Sequence, residues 1–319
     1  MRLATTTAGM VALLAVAGVA PANAASSDAG PLDAIERVAP QVLTKVAEAT
    51  MKSRGTTAIA SDEVNGVEVE VPIDPSDGIA VTNVETGLTI GVGLPSARSA
   101  DDAVVEAEGV VSYDNGDGSV TVPVVKDDGS VQIMTVIEDS TAPTDYAYAL
   151  DIPADATVGE DAETGLVKIL DADGGFLAGV APAWALDANG DPVATHYEIS
   201  GDALVQVIDH GAGTAYPVVA DPWLGIALID KVTKTWYSGK GYRYHVYPTW
   251  WGRGGAGWGA RWEAWSETKK KGVPQTSTLE NQFYCHYDYR PVTTFKDSWN
   301  LESWAPDKGY WGFMASVCN

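Results

Sequence analysis

The chain has 319 residues, with 43 acidic and 20 basic side chains, a formal charge of −23 and two cysteines. That length predicts roughly two domains, and 45% apolar residues are enough to build a core rather than a disordered polymer. The charge argues against nucleic acid, or an anionic membrane, as a partner of the whole protein, because phosphate binding needs net Lys and Arg.

The first 24 residues read as a secretion signal. Arg2 supplies a positive start, Met10 to Ala20 form an apolar run, and Ala22-Asn23-Ala24 matches an A-x-A cleavage site. The run is shorter than the roughly 20 residues a membrane-spanning helix needs, and no later segment is apolar enough to span. No cysteine lies near the cleavage site, so a lipid anchor is not expected. The mature protein is therefore expected to be extracellular and to start at Ala25.

Residues 25–60 form a helical or linker segment. Ile35, Val38, Val42, Val46 and Ala49 recur at helical spacing from Leu32 to Lys52. Asp33 can cap the start, and Pro40 kinks the helix or starts a second one. Such a free amphipathic helix reads as a linker or a docking element.

Residues 61–222 read as an acidic β-rich domain. Short β-branched runs, among them VEVEVPI, SVTVPVV, VQIMTVI and ALVQVID, alternate with NG, DG and DPSDG turns. This pattern predicts an antiparallel β-sandwich or barrel. Three acidic turns, at Asp114, Asp171 and Asp187, have a calcium-loop flavour but lack the late glutamate, so hairpin turns explain them. No metal and no cofactor is expected.

Residues 223–319 differ sharply. Residues 25–222 carry 35 acidic and 7 basic side chains, a balance of −28; residues 223–319 carry 8 and 12, a balance of +4. Ten of the eleven tryptophans lie at or after Trp223, the exception being Trp184. This break places a domain boundary near Pro222. A strand over Tyr242 to Tyr247, a glycine-rich turn and a helix carrying Trp258, Trp262 and Trp265 on one stripe predict a small α+β domain. Its two cysteines, Cys285 and Cys318, have one intramolecular pairing available in an oxidising compartment; a reactive thiol is the rival reading.

Each site candidate in this half has a plain structural alternative. Gly252, Gly254 and Gly257 spell G-x-G-x-x-G, but no second βα unit follows, so a flexible turn is the reading; Arg253 beside free N–H groups would at most hold a carboxylate or sulfate. Glu263 and Glu267 read as solvated helix charge, with Glu267 paired to Lys271. No H-E-x-x-H, C-x-x-C or G-x-S-x-G is present. The aromatic surplus is the strongest signal. Ten tryptophans and eight tyrosines exceed what a 97-residue core buries, and exposed rings mark contact surfaces. Tyr247, Trp250, Trp251 and Arg253 are the expected binding patch, stacking on sugars or clamping carboxylates.

Gln282-x-x-Cys285-His286, Lys296-x-x-Trp299-Asn300-Leu301-Glu302, Pro306 and the terminal Cys318-Asn319, with the upstream GWGARWEAWSE segment, resemble the actinobacterial domain of unknown function 2599. The resemblance covers about 90 residues. It implies secretion, a Cys285–Cys318 disulfide and a small binding or effector-like domain, and it carries no catalytic residues. The preceding half is similar to the β-rich preambles of secreted actinobacterial proteins, through Pro182-x-Trp184 and Tyr216-Pro-Val-Val-Ala-Asp221-Pro222.

The expectation is a secreted envelope or extracellular protein whose cationic aromatic domain binds cell-wall glycan or another surface polymer. One alternative is an antibacterial effector or hydrolase, its basic payload docked on the acidic half until cleavage near Pro222. His286 and Glu302 are its catalytic candidates. Another is a structural envelope protein without ligand. The reading leans away from an enzyme.

Overall fold

The computed structural model describes residues 30–47, 55, 57–60, 66–162, 164–255, 260–289 and 296–318. The expected secretion signal lies outside the described residues. Among the described residues 41% are strand and 18% helix, so the fold is mostly β, and the strand pairings there are all antiparallel.

One sheet joins, in spatial order, β1 (Thr57–Ala60), β2 (Val67–Pro72), β3 (Ile79–Asn83), β4 (Leu88–Val92), β9 (Asp145–Asp151), β15 (Ala203–Ile208) and β14 (Thr195–Ser200). The second runs β10 (Thr157–Asp161), β11 (Leu166–Leu170), β12 (Phe176–Val180), β17 (Trp223–Gly225), β8 (Val131–Ile137), β7 (Ser119–Val125), β6 (Val110–Asp114) and β5 (Val104–Ala107). There β16 (Val218–Ala220) also pairs with β8, and β13 (Ala185–Leu186) pairs with β16. The sheets share one core, in which Val69, Val81, Ile90, Tyr146 and Tyr148 meet Val131, Ile133, Ile137 and Leu224. Along β9 buried and exposed residues alternate strictly, the period of a strand with one wet face.

Strands β7 and β8 are buried at every position, Ser119, Thr121, Gln132 and Thr135 included, as strands covered on both faces are. Their second face, Val122, Val124, Met134 and Val136, is covered by Ala34, Ile35 and Val38 of helix α1 (Pro31–Val38) and by Val42 of the 3₁₀ turn that follows. The N-terminal helix is therefore docked, and each fully buried aliphatic there stabilises by roughly 1.5–3 kcal/mol before entropy is counted. It is also shorter than its apolar spacing predicts. Gly30 rather than Asp33 occupies the N-cap. The helix stops before Pro40, whose ring disfavours α geometry in the residue preceding it.

The three acidic turns close on themselves. The Asp171 carboxylate accepts from the N–H groups of Asp173 and Gly175, and that of Asp187 from Asn189 and Asp191. Asp114 accepts from Gly116 N–H in the same way. These are side-chain-capped turns, and no metal-binding cluster occurs among the described residues.

The C-terminal half is α+β. β18 (Ile229–Tyr237), β19 (Gly241–Pro248) and β20 (Trp299–Glu302) form a third sheet, backed by α2 (Arg261–Lys270) and α3 (Ser277–Asp288), with α4 (Gly309–Ala315) packed on α3. Tyr244, Val246, Trp299 and Leu301 on one face of this sheet pack with Trp265, Phe283 and Tyr287. Cys285 and Cys318 form a disulfide, and no free cysteine remains. The tryptophan stripe is only partly a core stripe: Trp265 is buried, Trp262 is 55% exposed, and Trp258 lies outside the described residues.

The composition break and the structural handover fall a few residues apart. Trp223–Gly225 still forms a strand of the acidic half, between β12 and β8. Ile226 and Ala227 sit in the sandwich core, and Leu228 and Ile229 open the C-terminal one. That second core also contains Leu166, Phe176 and Ala181 from the acidic half, so the two halves share buried apolar surface.

Candidate functional site

The junction is organised around Trp251. Its ring is fully buried against β12 and β17, where only glycines leave room. A Cβ at Gly179 would lie 2.8 Å from Trp251 Cζ3, and one at Gly225 would collide with the indole nitrogen edge. Trp251 opens a single π-helical turn, Trp251–Gly255. Gly252 is needed there because its Cα passes against the Leu228 carbonyl. The first glycine of the G-x-G-x-x-G run thus serves backbone approach. The N–H of Gly252 is donated to Thr249 Oγ1 and that of Arg253 to Thr249 O.

Beside this anchor the halves enclose a groove of ≈ 690 Å³. Trp250, 42% exposed, and the partly buried Trp223 form one wall, with ring centroids 5.2 Å apart. Trp223 is held by its indole N–H on Ser130 Oγ at 2.8 Å, and Ser130 in turn donates to Asp128. Tyr247 and Trp184 also line the groove. Of the expected patch, then, Tyr247, Trp250 and Arg253 face a common space. Trp251 is core and is not available to a ligand. Arg253 is committed to the protein: its guanidinium donates to the carbonyls of Lys296 and Asp297, and burial lowers its pKa.

The polar part of the groove comes mainly from the acidic half. Lys126, Asp127, Asp128 and Asp221 line it, with Asp230 and Asp297 from the other side. Asp221 is 1% exposed and accepts from Gln132 Nε2 at 2.8 Å. Burial raises its carboxyl to about 7, opposed by hydrogen bonds from Gln132 and Trp184 and by the Lys126 charge. Lys126 donates to the carbonyls of Val42 and Thr44, tying the N-terminal turn to β7. Burial lowers it to about 8, opposed by Asp128, Asp127 and Asp221. Sequence reading missed Lys126, Asp221 and Trp223 as groove residues. The signals were the solitary Trp184 within the acidic half and the Asp-Pro-Trp at 221–223, on the composition break itself.

Glu267 overturns the solvated-charge reading. Its carboxylate accepts from Leu228 N–H at 3.0 Å and Ile229 N–H at 2.8 Å, clamping the segment between the halves. Burial raises it to about 7, and the two N–H groups and Lys271 only partly offset this. Glu267 and Asp221 therefore hold protons more tightly folded than at their ordinary values of 4.5 and 3.8. Their contribution to stability is complete below about pH 4 and declines as pH rises towards 7. The urea midpoint is expected to be higher at pH 5 than at pH 7.5, and Glu267→Gln should flatten that slope. A midpoint that climbs between those pH values would contradict the burial argument.

His286 and Glu302 are not on the groove. His286 is fully buried, with Nε2 on Asn300 O at 3.1 Å and its ring parallel to Trp299. Glu302 pairs with Arg243 at 2.6 Å, while its N–H is donated to Gln282 Oε1. Both are built into the α3–β20 contact.

The family model described as a protein of unknown function, DUF2599, matches residues 230–319. The match starts one residue into β18. It includes Tyr247, Trp250, Trp251 and Arg253 and excludes Trp223 and nearly all of the opposite wall. No curated protein matches the chain.

Proposed function

We propose that the protein is exported and that the junction groove binds a surface glycan. The observation that carries this reading is the Trp250–Trp223 wall beside Tyr247, faced by buried polar groups across ≈ 690 Å³. Aromatic faces suit the apolar side of a sugar ring, and fixed carboxylates and amides suit its hydroxyls. Export is supported by the apolar N-terminal run with its A-x-A site and by the disulfide, a bond of oxidising compartments. No helix among the described residues is long and apolar enough to cross a membrane.

Both halves build the site, so residues 223–319 alone should bind poorly. The effector alternative requires the basic half to leave the acidic one after cleavage near Pro222. The contact between them is apolar and interlocked at Trp251, which favours a permanent junction over an electrostatic, releasable one. Co-sedimentation of the mature chain with purified cell wall tests the proposal. Trp250→Ala is expected to weaken binding about 30-fold, the loss of a central aromatic anchor, with the fold intact. Unchanged sedimentation would remove Trp250 from the site. Sugar fragments released into the supernatant would replace binding by hydrolysis.

A further inference from the structure

The outer face of the third sheet continues the groove. Tyr247, His245 and Arg243 alternate along β19, opposite Lys231, Thr233 and Thr235 of β18 and, for the last two, Asn300 and Glu302 of β20. The opposite face, with Tyr244, Val246, Trp299 and Leu301, is the buried one. Lys231 lies 5.3 Å over the Tyr247 ring, at the end that lines the groove. His245 is fixed by Thr235 Oγ1 at 3.2 Å and Asn300 Oδ1 at 2.7 Å. Arg243 lies 4.7 Å from the Tyr237 ring and 5.7 Å from the Trp304 ring, and donates to Tyr237 Oη and Glu302.

From Tyr247 to Gly241 is six residues of strand, about 20 Å. A wet sheet face of that length, studded with rings and polar groups already held by neighbours, costs little ordering entropy when a ligand is laid on it. On the basis of the glycan reading above, we infer that this face is a track for the same chain: an extended, neutral β-1,4-linked glycan strand seated in the groove and running from Tyr247 to the Tyr237–Arg243–Trp304 stack. Neutrality follows from charge: the five aspartates and three cations lining the groove are joined along the track by Lys231, Arg243 and Glu302, so six carboxylates nearly balance five cations and neither a polyanion nor a polycation meets a net opposite charge. Extension follows from shape, because a flat ribbon covers a sheet face and a coiled chain does not.

The test is calorimetric titration of the full chain with soluble β-1,4-linked N-acetylglucosamine oligomers, from disaccharide to hexasaccharide. Affinity is expected to rise at least about tenfold with length. Trp304→Ala should abolish that rise and leave disaccharide binding unchanged, whereas Trp250→Ala should weaken every length. Tyr237→Ser, on the other side of Arg243, is the second variant should Trp304→Ala fail to fold. Equal affinity for all lengths, or a rise that survives both track variants, would overturn the track while leaving the groove reading in place. Absence of binding at every length would overturn both.

Discussion

Gly225→Ala is expected to break the junction. The new methyl would occupy the space of the Trp251 indole. β17 cannot retreat, because it is hydrogen-bonded between β12 and β8. Overpacking usually costs about 1–3 kcal/mol, but here the ring has no second berth: its far edge meets Gly179. If the ring is expelled, the cost approaches the roughly 3–5 kcal/mol of deleting a buried aromatic. Trp251→Ala should show that larger figure directly. The double variant is the decisive measurement, because a methyl at 225 then fills part of the cavity at 251. Its urea-derived destabilisation should fall short of the sum of the singles by about 0.5–3 kcal/mol, the coupling of residues in contact. Additive singles would show that the two positions do not touch. Glycan binding should be lost in Gly225→Ala as well, since Trp250 and Trp223 are placed by Trp251, with ring centroids 4.8 and 5.8 Å from it.

The same residue shows where sequence reading reached its limit. Ala203–Ile208 could be read because burial of one face imposes a local period on side chains, and Val131–Ile137, buried at every position, because a short β-branched run bounded by turn residues is itself a local signal. The α+β character of the last 97 residues could be read for similarly local reasons, and the disulfide because the chain has only two cysteines to pair. Trp251 could not be separated from Trp250, because adjacent residues with the same chemistry point in opposite directions only once β12 and β17 are in place. Gly179 and Gly225, the residues that accept Trp251, lie 72 and 26 positions away from it in sequence, and neither stands out among 33 glycines. Glu267 failed for a related reason. Its spacing to Lys271 suggested a local ion pair, but a non-local partner, the pair of amides at Leu228 and Ile229, won. The charge asymmetry marked the right neighbourhood for a boundary, but charge describes surfaces, and here the two surfaces are joined by an apolar core that composition does not reveal.

Removing the disulfide, by Cys318→Ser or by reduction, is expected to lower stability by about 3–4 kcal/mol. The closed loop spans 33 positions, and the entropy returned to the unfolded chain on opening a loop of that size is of this order. The loss should be concentrated at the end of the chain. β20 keeps its own ties through Trp299 and Leu301 in the core and the Gln282–Glu302 hydrogen bonds. The turn after α4 has fewer. Val317 and Cys318 both adopt left-handed backbone, at φ 60° and 72°, which costs a residue with a side chain roughly 1–2 kcal/mol. The Cys318 N–H on Phe313 O, the Val317 N–H on Met314 O, the packing of Cys318 against Phe313 and the covalent bond oppose that cost. Hydrogen exchange on reduction should therefore accelerate first in α4 and the residues after it, ahead of β19 and β20. Val317→Gly separates strain from cross-link: it should stabilise the oxidised protein by up to about 1 kcal/mol, less the entropy glycine adds to the unfolded state. If reduction leaves the urea midpoint unchanged, the last turn is held by packing around Phe313 alone, and the bond contributes nothing to the fold.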